Sequence, residues 1–343
     1  MSQAVDPGST SPPAEPTPTP SAGDFALVLR NIRKSFGAVR AVDDLSFAIP
    51  RGSIVGFLGQ NGAGKTTTLR MIMSILYPDQ GSIEILGEPD AEAIKDRLGY
   101  LPEEKGLYRK MKVGEILAYF GRLKGLPTRE AKKRSRELLE RYGLGDWIDK
   151  KCEALSKGMG QKVQVLGTLI HEPELVILDE PFSGLDPVNT EVMRELILDL
   201  RREGRTVIFS THIMEQAEQL CDAIILVHKG RKLLDGPLAE IKASGDHGIL
   251  LDYDGDGSVL RELEGVRRLN DAGKQAEIFL DDGVDPQDIL QQLVGSLRIR
   301  RFDLREPSLH EIFVRAVSGG DDPNPDTAST EVAGVDESAG GGQ

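Results

Sequence analysis

The sequence predicts an α/β core followed by a smaller α+β domain, and three observations carry that prediction. Short apolar, β-branched runs such as 175–178 and 206–209 alternate with segments of helical spacing, as parallel strands joined by helices do. A glycine-rich loop, Gly59-Gln60-Asn61-Gly62-Ala63-Gly64-Lys65-Thr66, sits between a buried-strand pattern at 53–58 and a helical pattern at 67–75. After about residue 245 the alternation gives way to strands and helices of a different order.

In chain order, strands are predicted at 26–32 and 41–49, then the glycine loop and its helix, then a strand at 81–86. Val113, Ile116, Leu117, Phe120 and Leu123 recur at helical spacing over 111–124. Thr128 is the expected cap of a second helix running to 142, whose mixed charges read as a solvated face. An amphipathic helix at 188–202 separates the strands at 175–178 and 206–209. Beyond 245, strands are predicted at 249–253, 276–280 and 297–302, with helices at 285–294 and 308–317. Residues 1–23 are rich in Pro, Ser and Thr, and 318–343 are acidic and end in glycines; neither can bury a core, and both are expected to be disordered.

Composition narrows the function classes. With 343 residues, 39% apolar and 28% charged, the chain suits a water-soluble globular protein. No run approaches the roughly 18 apolar residues of a membrane span. The N-terminus lacks the basic and apolar regions of a signal peptide. Cys152 and Cys221 give neither a disulfide framework nor a metal spacing. A net charge of −13 argues against nucleic acid as a partner, although residues 1–24 and 317–343 supply nine of those charges.

The glycine loop fits the pattern that wraps nucleotide phosphates. Its glycines let amide N–H groups approach anionic oxygens, and the following helix adds its positive dipole end. Lys65 is expected to reach the β- and γ-phosphates of a nucleotide and Thr66 to ligate Mg²⁺, with Thr67 completing the binding segment. The strand at 175–178 ends in Asp179 and Glu180. Ligands bind at the C-terminal edge of such strands. Asp179 is therefore expected to hold Mg²⁺, and Glu180 to orient and deprotonate the attacking water.

With these residues in order, the chain resembles the ATP-binding cassette (ABC) transporter ATPases over about residues 25–243. Leu155-Ser156-Lys157-Gly158-Met159 resembles the family's signature, usually Leu-Ser-Gly-Gly-Gln, and Gln161 and Lys162 its downstream polar pair. Ser183-Gly184-Leu185-Asp186 followed by Pro187 matches the D-loop, His212 the switch histidine, and Phe36 the adenine-stacking aromatic. Glu103 stands where the family's Q-loop has glutamine, and Lys157 and Met159 depart from the signature. A bacterial exporter branch with separate membrane subunits is similar in these departures and in a small C-terminal domain.

The resemblance implies an ABC-type P-loop core with an antiparallel β subdomain, and a nucleotide-binding domain at 24–244 with a helical subdomain at about 88–170. It also implies a small α+β accessory domain at 245–317. The implied activity is ATP hydrolysis with Mg²⁺, held by Thr66, Asp179 and Glu103. Two cassettes would pair head to tail as a homodimer, each signature facing the other's phosphate loop. An integral membrane permease would be the partner, placing the chain at the cytoplasmic face of the membrane. A regulatory cassette that binds without turnover, or a non-transport ABC ATPase, is the alternative. Glu180 and His212 disfavour the first of these, since a binding-only cassette needs neither.

Overall fold

A computed structural model describes residues 24–318 apart from 105, 246, 247 and 282, so the two tails expected to be disordered lie outside it except for Ser318. The chain opens with β1 (Phe25–Phe36) and β2 (Val39–Pro50), an antiparallel hairpin turning at Gly37. β3 (Ile54–Leu58) leads into the glycine loop and α1 (Lys65–Ile72). β4 (Gln80–Ile85) returns to pair antiparallel with β1, giving a three-stranded sheet in the order β2-β1-β4. The helix begins two residues earlier than its apolar pattern suggests, because Lys65 and Thr66 complete its first turn.

A second sheet forms the centre of the molecule. It combines β3 with β5 (Leu98–Leu101), β6 (Leu175–Asp179), β7 (Thr206–Thr211), β8 (Ala223–His228) and β9 (Arg231–Pro237). The order is β5-β6-β7-β3-β8-β9, parallel except for the last pair. Every residue of β3, β6 and β7 is buried, as expected of strands covered on both faces.

Residues 88–170, expected as the helical subdomain, begin instead in this sheet, because β5 pairs with β6. The helices come later: α2 (Val113–Leu123), α3 (Thr128–Arg141) and α4 (Lys157–Leu169). Val113, Ile116 and Leu117 of α2 face the core. Gly167 of α4 lets Phe120 pack closely, since a Cβ there would lie 2.6 Å from the ring. Thr128 does not cap α3. Pro127 holds the cap position in an extended conformation, so Thr128 is already the first helical residue and makes no capping bond. α5 (Pro187–Arg202), α6 (Met214–Leu220) and α7 (Leu238–Ala243) complete this part of the chain.

The last strands form a third sheet. β10 (Gly248–Asp254), β11 (Val266–Asp271), β12 (Gln275–Leu280) and β13 (Arg298–Arg305) run antiparallel in the order β11-β12-β10-β13. α8 (Pro286–Leu293) closes a separate apolar cluster, burying Ile289 and Leu293 against Ile249, Leu251, Tyr253 and Ile278. The closing helix α9 (Leu309–Ser318) turns away from this cluster, and its Leu309 and Phe313 belong to the core of the central sheet and its helices.

Candidate nucleotide-hydrolysis site

The C-terminal edge of the central sheet gathers the glycine loop, the end of β6 and the end of β7. The loop is tightly built. A Cβ on Gly59 would lie 2.4 Å from the Val227 carbonyl oxygen, and one on Gly64 2.4 Å from that of Ala41. Gly64 also takes φ +100°, a backbone region that disfavours any side chain. It precedes α1 with no side-chain cap, so the first amides of that helix have no side-chain acceptor. Lys65 is buried, and its Nζ donates to the Gly59 carbonyl at 2.7 Å and the Gln60 carbonyl at 3.3 Å. The loop is braced from behind, where the Gly230 amide donates to Ala63 and the Asp43 amide to Gly230.

Asp179 ends β6 with almost no exposure. Its Oδ1 accepts from the Ser210 hydroxyl at 2.5 Å, while its Oδ2 is buried without a hydrogen-bond partner among the described residues. Burial raises its carboxyl above the ordinary range and the Glu180 charge adds to this; the Ser210 and Thr66 hydroxyls and Lys65 oppose it. Glu180 follows at φ +48°, a strained conformation for a side-chain-bearing residue. Its amide donates to Ser210 Oγ at 2.9 Å, which ties the strained residue to β7. One Glu180 oxygen lies 3.4 Å from Lys65 Nζ, and His212 Nδ1 lies 3.1 Å from both carboxylate oxygens. Lys65, Asp179, Glu180 and His212 thus form one group, with Thr66 beside Asp179. Ser210 is the member that sequence reasoning missed. The available signal was a hydroxyl directly after the apolar stretch 207–209 and two positions before His212.

The group fits Mg²⁺ and nucleotide phosphate on its own chemistry. No cluster of three or more metal-ligating side chains occurs among the described residues. Mg²⁺ at phosphate sites needs no such cluster, because one or two carboxylates and the substrate's oxygens suffice. The orphaned Asp179 Oδ2 and the Thr66 hydroxyl supply a hard oxygen set beside uncapped amides and an ammonium group.

The remaining candidates stand apart from that group. Phe36 is 49% exposed at the tip of the β1–β2 hairpin, with Lys34 Nζ 5.8 Å from its ring centre. Glu103 is exposed and makes no hydrogen bond or ion pair among the described residues, so the structure does not join it to Thr66 and Asp179. The signature meets the D-loop of its own chain. Ser156 caps α4 by accepting from the Met159 amide at 3.3 Å. Gly158 packs on Asn189, where a Cβ would fall 2.3 Å from the side chain, and the Lys157 ammonium lies against Gly184. Gln161 Nε2 donates to the Pro181 carbonyl at 3.2 Å. Asp186 caps α5 through Asn189, which holds its carboxyl below the usual range.

A phosphate-binding loop on a parallel sheet, followed by an Asp-Glu pair and a histidine at the next strand, defines a P-loop nucleotide hydrolase. Family comparison makes this specific. Residues 42–183 match the model described as ABC transporter, and residues 236–317 match the ATP-binding protein DrrA1-3-like, C-terminal domain. The uncharacterized ABC transporter ATP-binding protein YhaQ of Bacillus subtilis is 44% identical over 85% of this chain and 98% of its own. Nod factor export ATP-binding protein I of Sinorhizobium fredii is 35% identical over 86% of this chain and 87% of its own. The solved cbiO1 of Clostridium perfringens, part of the ABC transporter complex cbiONQ, aligns with TM-score 0.59 and 28% identity over 64% of this chain and 92% of that chain. The chain belongs to the ABC transporter ATP-binding proteins, and it is an ATPase subunit of that family.

Proposed function

We propose that this chain powers export through a separate membrane permease by hydrolysing ATP-Mg²⁺ between two cassettes. The observation that carries the reading is the convergence of Lys65, Asp179, Glu180 and His212 at one sheet edge. Lys65 and the loop from Gly59 to Thr67 bind the phosphates. Thr66 and Asp179 hold Mg²⁺, which supplies charge neutralisation when bound. Glu180 accepts the proton of the attacking water, and His212 orients it. Phe36 offers its exposed ring to the adenine.

The Leu155–Met159 signature and the Ser183–Asp186 D-loop serve the second cassette, head to tail. The Lys157 ammonium lies against Gly184 within one chain, which suits such a paired role. Separate permeases fit the absence, among the described residues, of any helix long and apolar enough to cross a membrane. Export rests on the relative named for Nod factor export, which is similar over most of its length. The chain would then sit on the cytoplasmic face of the membrane, with 24–244 as nucleotide-binding domain and 245–317 as accessory domain.

Two measurements test this together. Sedimentation of Glu180→Gln with ATP and Mg²⁺ should give a dimer, whereas without ATP it should give a monomer. Hydrolysis by the parent chain should rise when membranes containing its permease are added. A monomer under all conditions, with a rate indifferent to membranes, would remove both the pairing and the partner.

A further inference from the structure

The last helix among the described residues reaches back to the histidine end of the site. α9 leaves the C-terminal sheet and buries Leu309 and Phe313 in the central core, at 2% and 5% exposure. The Leu309 amide, at the start of α9, donates to the Glu218 carboxylate on α6. This places an acidic side chain at a helix N-terminus, where amide donors and the dipole both favour it. The Phe313 ring packs edge-on against His228 at 6.2 Å between centres. Met214, the first residue of α6, lies two positions after His212. The turn between them is pinned, because Thr211 Oγ1 donates to Gln216 at 2.8 Å and accepts from the Ile213 amide at 3.1 Å.

From this geometry we propose that α9 is a positioning element for His212, acting through α6, with Glu218 and Phe313 as positioning residues. Neither touches Glu180 or the glycine loop. They fix the helix from which the histidine turn hangs, so the C-terminal domain sets how squarely the imidazole meets Glu180. That domain is rooted on the same brace, since Lys242 on α7 pairs with Glu306 at 3.2 Å and Arg305 pairs with Glu311 on α9. Displacing the domain would move α9, and α9 would move α6. The inference rests on the role given to His212 above.

The test compares Glu218→Ala, Glu218→Gln, Phe313→Ala and Phe313→Leu with His212→Ala in the full chain. Glu218→Ala and Phe313→Ala should lower kcat by roughly fivefold or more while KM for ATP stays within about twofold. Glu218→Gln and Phe313→Leu should restore most of the rate, because each keeps an acceptor or an apolar body in place. The His212 ring resonance, assigned from its loss in His212→Ala, should shift in both alanine variants and return in the conservative ones. If the alanine variants keep the parent kcat and the parent His212 resonance while His212→Ala is inactive, the brace is only structural and the inference fails. If His212→Ala itself hydrolyses at the parent rate, the failure belongs to the role of His212. A melting temperature lowered equally in the Ala and conservative variants, without change in kcat, would also count against the brace.

Discussion

His212 Nδ1 lies 3.1 Å from each of the two Glu180 carboxylate oxygens. Two acceptors facing one ring nitrogen require the hydrogen to be on Nδ1, which makes Nε2 the acceptor of the neutral ring. The same carboxylate has Lys65 Nζ 3.4 Å away. Glu180 therefore sits between the histidine at the end of β7 and the phosphate-loop lysine, and its backbone is held in a left-handed conformation by Ser210. On the proposed function, that arrangement ties the proton acceptor, Glu180, to the two groups expected to meet the γ-phosphate, Lys65 and His212.

Phe36→Ala should weaken ATP binding with little loss of fold. The ring is half exposed at a hairpin tip, so its removal leaves no cavity. Base stacking on aromatic side chains is worth about 1–3 kcal/mol, which corresponds to roughly 5- to 150-fold in Kd. Calorimetric titration with ATP and a thermal melt check this. An unchanged Kd would take Phe36 out of the binding site.

Glu103 should affect coupling more than chemistry. It stands exposed in the loop after β5 and before α2, between the central sheet and the helices. Glu103→Gln is expected to stay active with a weaker dependence on Mg²⁺. Glu103→Ala is expected to keep ATP binding and lose much of the stimulation by the permease. Titrating hydrolysis with Mg²⁺, with and without the membrane partner, separates these outcomes. Superimposable curves for all forms would place the coupling elsewhere in residues 99–124.

Acid stability should depend on His171. Its Nε2 donates to the Leu98 carbonyl at 2.9 Å, and its buried Nδ1 has no partner among the described residues. Burial lowers its pKa from 6.5 to about 4. The folded state binds this proton less readily than the unfolded chain, so the stability is fully present above pH 6.5 and is lost as pH falls toward 4. His171→Gln should flatten the fall of melting temperature across that window. A slope equal to the parent's would show that other groups govern the acid limb.

Much of the site was legible because its signals are local. The glycine loop, the Asp179-Glu180 pair after an apolar strand and the helical spacing of Val113, Ile116 and Leu117 each depend on neighbours in sequence. What escaped depends on distant pairing. β5 is only four residues long and reads as part of a loop until β6 pairs with it. β11 carries Arg267, Arg268, Asn270 and Asp271 on a half-exposed edge, so no apolar alternation marks it. Ser210 acquires its place only when β7 lies beside β6 and brings its hydroxyl to Asp179. The return of α9 to α6 joins residues 91 positions apart, and nothing in either segment alone announces it.

The most direct test of the account is steady-state hydrolysis by Glu180→Gln beside its ATP affinity. The account predicts a rate lower by at least about 10²-fold, the lower range of general base catalysis, with ATP bound as tightly as by the parent. Hydrolysis within threefold of the parent at unchanged affinity would contradict it, because proton removal would then not pass through Glu180.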